Sequence, residues 1–148
     1  MPHNPTPTLA VVWLDFHQAK IFLIKAEDVE AKCIRADTPH RRVHHKAQVR
    51  GSGHVRDDRT YFEAILAAVD GVDAWLIVGP GGTKKDLEKY LEGHAEELKQ
   101  KLVGVEPMDH PTDGELLAHA RKVFKAYDHM MPHDPRIAQA LRGGTARG

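Results

Sequence analysis

The sequence predicts an α/β fold in which three antiparallel strands precede an alternation of helices and strands. Near the N-terminus, three apolar runs of strand length follow one another with connections too short to contain a helix. Further along, three segments with apolar residues at helical spacing alternate with two short apolar runs. A meander followed by such units forms a mixed sheet with helices packed on its faces.

Length and composition are those of one soluble domain. The 148 residues suffice for a single core, and 21 Lys and Arg balance 21 Asp and Glu, so that any electrostatic recognition depends on local clusters. The single cysteine, Cys33, excludes an internal disulfide and is expected to pack as a small apolar residue. Because no apolar run reaches the roughly 18 residues of a membrane helix and no export signal is present, we expect a cytoplasmic protein without a membrane partner.

The first three strands follow a lead-in over residues 1–8, which three prolines are expected to keep flexible. The predicted strands are Leu9–Phe16, Ala19–Lys25 and Val29–Ala36. The third alternates polar and apolar residues, which is typical of a strand with one solvent-exposed face. The short connections favour an antiparallel meander.

The pattern in the middle of the chain predicts a helix, a strand and a second helix. The first helix, from about Asp58 to Asp70, carries one apolar stripe. The strand Ala74–Gly79 is entirely apolar, which suits a position covered on both faces. A long helix is predicted from Thr83 to Lys101, with Thr83 and Asp86 as a capping box.

A short strand and a third helix complete the predicted domain over residues 9–127. The strand is Leu102–Glu106, and Thr112 with Glu115 forms a capping box for a helix that ends near Tyr127. Residues 128–148 are predicted to form a tail with a weakly helical patch near residues 137–141. The order of elements is that of the ribonuclease-H-like architecture.

Residues 37–56, which we call the basic loop, show neither helical nor strand periodicity. Between Thr38 and Arg56 they include five Lys or Arg residues, four histidines and no acid. Such a concentration of positive charge fits contact with a phosphate backbone, and glycines allow a close approach to RNA. We predict RNA contacts from the cations and the tip of this loop and, more weakly, from two lysines after the Gly79–Gly82 turn: Arg41, Arg42, Lys46, Arg50, Gly51, Gly53, His54, Arg56, Lys84 and Lys85.

Four segments carry a family resemblance: VVWLDFHQAKIFLI, HHKAQVRGSGHVRDD, DAWLIVGPGGTKKDLEKYL and VGVEPMDHPTDGELLAHAR. Their order and spacing resemble the central domain of the archaeo-eukaryotic peptide-release factors and of Pelota. The last segment also resembles the bacterial single-domain relatives known as translational machinery proteins. The resemblance spans about residues 9–127 and implies a ribosome, or a structured RNA such as tRNA, as partner.

The tip of the basic loop departs from the release-factor pattern. In that family a Gly-Gly-Gln tip places a water against the ester of peptidyl-tRNA, whereas this chain has Gly51, Ser52, Gly53 and His54 at the corresponding place. The resemblance implies a ribosome- or RNA-associated binding protein, and the missing glutamine argues against an enzyme. Two alternatives stay open: a peptidyl-tRNA ester hydrolase in which His54 orients the water, and a protein-interaction module.

Metal-dependent chemistry has less support in the sequence. A two-metal nuclease needs several converging carboxylates; Asp15 and Glu63 are candidates, but the strand Ala74–Gly79 ends without an acid. The loop histidines lack the ligand spacing of a structural zinc site. We therefore predict no metal and no cofactor.

Overall fold

A computed structural model describes residues 7–26, 28–36, 58–130 and 137–141. The strands are β1 (Thr8–Leu14), β2 (Gln18–Lys25), β3 (Val29–Arg35), β4 (Ala74–Gly79) and β5 (Leu102–Pro107). The helices are α1 (Arg59–Ala68), between β3 and β4; α2 (Thr83–Leu91) and α3 (Glu96–Gln100), between β4 and β5; and α4 (Asp113–Met130). This order confirms the predicted α/β fold.

The strands form one mixed sheet in the order β3-β2-β1-β4-β5. β1, β2 and β3 make the predicted antiparallel meander, in which Phe22 pairs with Val11 on one side and with Ala31 on the other. β4 lies parallel to β1, with Leu76 beside Val11, and β5 lies parallel to β4. The arrangement is consistent with a ribonuclease-H-like sheet, in which the carboxyl ends of the three parallel strands meet at one edge.

Two apolar cores cover the two faces of the sheet, because successive strand residues point to opposite sides. One face packs against α1 and α2 through Ala10, Val12, Leu14, Phe62, Ile65, Leu87 and Leu91. The other packs against α4 through Leu9, Val11, Trp13, Leu116, Ala120 and Phe124. All of β4 is buried, as predicted for a strand covered on both faces.

β3 forms an edge of the sheet and is exposed along nearly its whole length, with only Ile34 half-buried. Cys33 is exposed with it, so the expectation that this cysteine packs as a small apolar residue is wrong. The physical reason is position, because the helices cover the central strands and leave the edge to solvent. The charged residues Glu30, Lys32 and Arg35 suit that position, since charge discourages pairing with another sheet edge.

β1 ends at Leu14, two residues before the predicted end. The Asp15 carboxylate stops the strand by accepting hydrogen bonds from the backbone N–H groups of His17, at 2.8 Å, and Gln18, at 3.0 Å. Phe16, predicted to lie in the strand, is therefore in the β1–β2 turn, where it is 56% exposed.

The helix predicted from Thr83 to Lys101 is two helices. Gly93 has a φ of 82° and ends α2 with the left-handed residue that commonly terminates helices. The Glu96 carboxylate then accepts the Gly93 N–H at 3.0 Å as α3 begins. The predicted Thr83 capping box is also wrong, because Gly82 occupies the N-cap and Thr83 is already the first helical residue.

The chain beyond β5 packs further than predicted. α4 extends to Met130, and residues 137–141 form the expected helical patch. Ile137, Ala140 and Leu141 are buried in the same core as α4. These residues of the predicted tail are therefore part of the packed structure. Within the described ranges, no helix combines the length and apolarity needed to cross a bilayer.

The predicted capping box of α4 is confirmed and provides a test of the fold. The Glu115 N–H donates to Thr112 Oγ1 at 3.1 Å, and the Thr112 N–H donates to Glu115 Oε1 at 2.9 Å. We expect Thr112→Ala to lower the free energy of unfolding by about 1 kcal/mol, because a helical N–H loses its acceptor. Urea denaturation measures the change; Thr112→Ser should behave like wild type, and equal midpoints for Ala and wild type would contradict the assignment.

Candidate nucleic-acid interface

The basic loop itself lies outside the described residues, and with it eight predicted contacts: Arg41, Arg42, Lys46, Arg50, Gly51, Gly53, His54 and Arg56. The structure does describe the residues on either side of it. On the β3 side, the Ala36 N–H donates to the His17 carbonyl oxygen at 2.9 Å. On the α1 side, the Tyr61 hydroxyl donates to the Asp15 carbonyl oxygen at 2.9 Å. Both flanks of the basic loop are thus held against the β1–β2 turn.

The Gly79–Gly82 turn lies at the same edge of the sheet, because β4 runs parallel to β1. A Cβ atom at Gly79 would collide with the Leu14 carbonyl oxygen, so only glycine allows β4 to end this close to β1. Gly81 has a φ of 65°, a left-handed conformation that favours glycine. The turn consequently starts α2 next to the end of β1.

The two lysines predicted to contact RNA from this turn have different surroundings. Lys84 is only 6% exposed, and its ammonium group donates to the Gly81 carbonyl oxygen. Lys85 is exposed. Lys84 therefore stabilises the glycine turn, while Lys85 offers the more accessible charge. The contact of this pair with RNA stays a prediction.

Trp13 connects β1 to the segment between β5 and α4. Its buried indole donates from Nε1 to the carbonyl oxygens of Asp109, at 2.6 Å, and Met108, at 3.3 Å. The Met108 N–H donates in turn to the Gly79 carbonyl oxygen at 3.1 Å. These bonds join the carboxyl ends of β1, β4 and β5 into one continuous surface.

His110 lies on this surface between two carboxylates. Its ring rests on Trp13, with the ring centroids 5.1 Å apart and the planes tilted by 55°. Nδ1 is 3.3 Å from Asp109 Oδ1, and Nε2 is 3.9 Å from Asp15 Oδ2. His110 therefore brings the segment between β5 and α4 into contact with the β1–β2 turn. No sequence pattern predicts this contact, because Asp15 and His110 are distant along the chain.

Solved structures of Pelota and of an archaeal translation termination factor have this fold. Pelota from Thermoplasma acidophilum is 18% identical, with a TM-score of 0.52 over 84% of this chain and 34% of that protein. Pelota from Archaeoglobus fulgidus is 14% identical, with a TM-score of 0.55 over 97% of this chain and 35% of that protein. The archaeal translation termination factor aRF1 is 16% identical, with a TM-score of 0.50 over 95% of this chain and 38% of aRF1.

The chain has the fold of one part of these proteins. It spans little more than a third of the length of each. No protein-family model and no curated protein matches the sequence. The likeness therefore concerns the fold, and it agrees with the fold that the resemblance to Pelota and the release factors implies.

The two carboxylates considered for two-metal nuclease chemistry, Asp15 and Glu63, have other contacts, and so does Asp113 near the start of α4. Asp15 stabilises the β1–β2 turn, as described above. Glu63 accepts the Tyr90 hydroxyl at 2.9 Å and so joins α1 to α2. Asp113 pairs with the Lys20 ammonium at 3.1 Å. Among the residues that the structure describes, no three His, Cys, Asp or Glu side chains are grouped so as to hold a metal ion.

Proposed function

We propose that this protein is a translation-related, non-catalytic factor that binds ribosomal or other structured RNA through the basic loop. One observation carries the proposal. A segment with five basic residues and no acid is flanked by residues that both contact the β1–β2 turn, at the edge of the sheet where β1, β4 and β5 end. The fold shared with Pelota and the archaeal termination factor supports the same role.

The uneven distribution of charge along the chain supports the assignment of RNA binding to the basic loop. Five of the 21 basic residues and none of the 21 acids lie between Thr38 and Arg56, which leaves the rest of the chain with 16 basic and 21 acidic residues, a net charge of −5. A phosphate backbone is attracted to the loop and repelled by the remainder. The protein should therefore bind a polyanion in one orientation.

Co-sedimentation with ribosomes at two salt concentrations tests this function. Each neutralised phosphate contributes about 0.7 to 0.9 to the slope of log affinity against log salt, so five contacts predict a loss of about 100-fold or more between 50 and 200 mM salt. A pellet fraction that does not respond to salt would contradict phosphate contact and favour a protein partner.

The fold of a termination factor also supports a second candidate, ester hydrolysis of peptidyl-tRNA with His54 orienting the water. Release of labelled peptide from programmed ribosomes measures it directly. If the chain is an enzyme, release exceeds that in buffer, is lost in His54→Ala and is kept in His40→Ala, a second loop histidine. We expect no release by wild type at concentrations that saturate the ribosome, and that result would rule out the hydrolase.

A further inference from the structure

Three exposed aromatic side chains lie at or next to Asp15 at the sheet edge; we call them the ring cluster (Phe16, His17 and His110). Phe16 is 56% exposed, and His17 is exposed with its ring edge-on to Phe16 at 5.8 Å between centroids. The side chain of His110 is 68% exposed. Asp15 contacts two of the three residues, through the His17 N–H at 2.8 Å and His110 Nε2 at 3.9 Å.

The ring cluster has a firm support. Trp13, which is buried, lies beneath His110 and is fixed by its bonds to Asp109 and Met108. The Asp15 turn is held by two backbone hydrogen bonds to its carboxylate and by the Tyr61 hydroxyl. A single exposed apolar residue is ordinary on a protein surface. Two exposed rings lie on a turn held by hydrogen bonds, and the third, His110, rests on the buried Trp13 beside it. Three such rings beside both flanks of a cationic segment indicate a binding surface.

The chemistry of this surface fits a base better than a phosphate. Phenylalanine and histidine rings stack on unpaired bases, which present a flat π-face whatever their identity. The carboxylate of Asp109 is exposed beside His110; it repels phosphate but accepts hydrogen bonds from the exocyclic amino group of a base. The flanks of the basic loop lie beside this surface, so the loop would contact the phosphate backbone of the same RNA strand.

We propose that the ring cluster stacks on an unpaired base of the RNA whose phosphates the basic loop contacts. The ligand class is thus a single-stranded nucleotide that carries an exocyclic amino group, presented in a loop, a bulge or an end of a structured RNA. This inference rests on the proposed function and adds the base-binding surface to it. It assigns base stacking to the described turn and phosphate contact to the basic loop.

Binding of the 148-residue chain to two RNAs tests the inference. One is a 12-nucleotide single strand containing 2-aminopurine, and the other is the same strand annealed to its complement. We expect tighter binding to the single strand and a change in 2-aminopurine fluorescence on binding. Phe16→Ala and His110→Ala should each weaken single-strand binding by about 10-fold, within the range of stacking losses, and duplex binding by less than about twofold. The salt slope should stay unchanged, because no phosphate contact is lost.

Matched controls separate this effect from general damage. The control variants are Met130→Ala and His129→Ala, at the end of α4 away from the ring cluster, where Met130 is 77% exposed and His129 is exposed. Both should bind like wild type. Phe16→Leu retains apolar surface without a flat ring and should lose as much affinity as Phe16→Ala. Thermal melting verifies that each variant is folded.

The outcomes distinguish the ring cluster from the basic loop. If wild type binds RNA with strong salt dependence but the ring variants bind single strands as well as it does, the ring cluster is overturned and the proposed function stands. If wild type binds neither of the two RNAs nor ribosomes at low salt, both the ring cluster and the proposed function are overturned. If it binds ribosomes but neither naked RNA, the ring cluster has no base-stacking role.

Discussion

Replacing Arg41, Arg42 and Arg50 together by glutamine should weaken binding to ribosomes by about 100-fold near 0.1 M salt, because three phosphate contacts are lost. The same change should lower the slope of log affinity against log salt by about 2 to 3, since each contact releases its own counterions. Measuring the dissociation constant at four salt concentrations gives both quantities. Side-chain amides preserve the polarity and much of the length of the three residues.

A second triple variant controls for net charge. Lys89, Lys122 and Lys125 are exposed on α2 and α4, so replacing them by glutamine removes the same charge elsewhere on the molecule. We expect less than about a threefold loss of affinity and an unchanged slope from it, because long-range interactions are screened beyond about 10 Å at this salt. Equal losses from the two triple variants would show that binding follows total charge and would contradict contact through the basic loop.

Replacing Gly79 by alanine should lower the free energy of unfolding by about 3 kcal/mol or more, because the new methyl group would collide with the Leu14 carbonyl oxygen. That oxygen belongs to the backbone of a central strand and cannot rotate away as a side chain would. Relief of this collision would require β4 to separate from β1. The pairing of these two strands is what places the start of α2 beside the β1–β2 turn. Urea denaturation followed by circular dichroism measures the loss.

Gly82→Ala is the matched control in the same turn. No atom lies within 4 Å of a Cβ built at this position, and its φ of −96° is ordinary for alanine. We therefore expect a change of less than about 1 kcal/mol. A Gly79→Ala protein that unfolds at the same urea concentration as Gly82→Ala would contradict the close approach of β4 to β1.

Periodicity and local chemistry suffice to predict most of the fold from the sequence. The apolar runs of the meander, the uninterrupted run of β4 and the Thr112–Glu115 capping box each depend on residues close together in the chain. The errors arise where one residue outweighs its neighbours. Gly93 ends a helix in a stretch rich in Glu, Lys and Leu, and the Asp15 carboxylate turns the chain before Phe16 can extend the strand.

The candidate site is predictable only in part. The basic loop is recognisable because its charge is concentrated in one continuous stretch of sequence. The burial of Lys84 depends on how α2 meets the sheet, and the approach of His110 to Asp15 depends on the parallel alignment of β1, β4 and β5. Such contacts between distant segments have no signature in a single sequence.

Ultraviolet crosslinking of the intact protein to ribosomes, followed by mass spectrometry of the peptides that carry RNA, tests the central claim most directly. The proposed function predicts that the crosslinked peptides come from residues 38–56, and the ring cluster predicts additional adducts at Phe16 or His110. Adducts confined to β3 or α4, or crosslinks to ribosomal protein without any to RNA, would contradict an RNA-binding role for the basic loop.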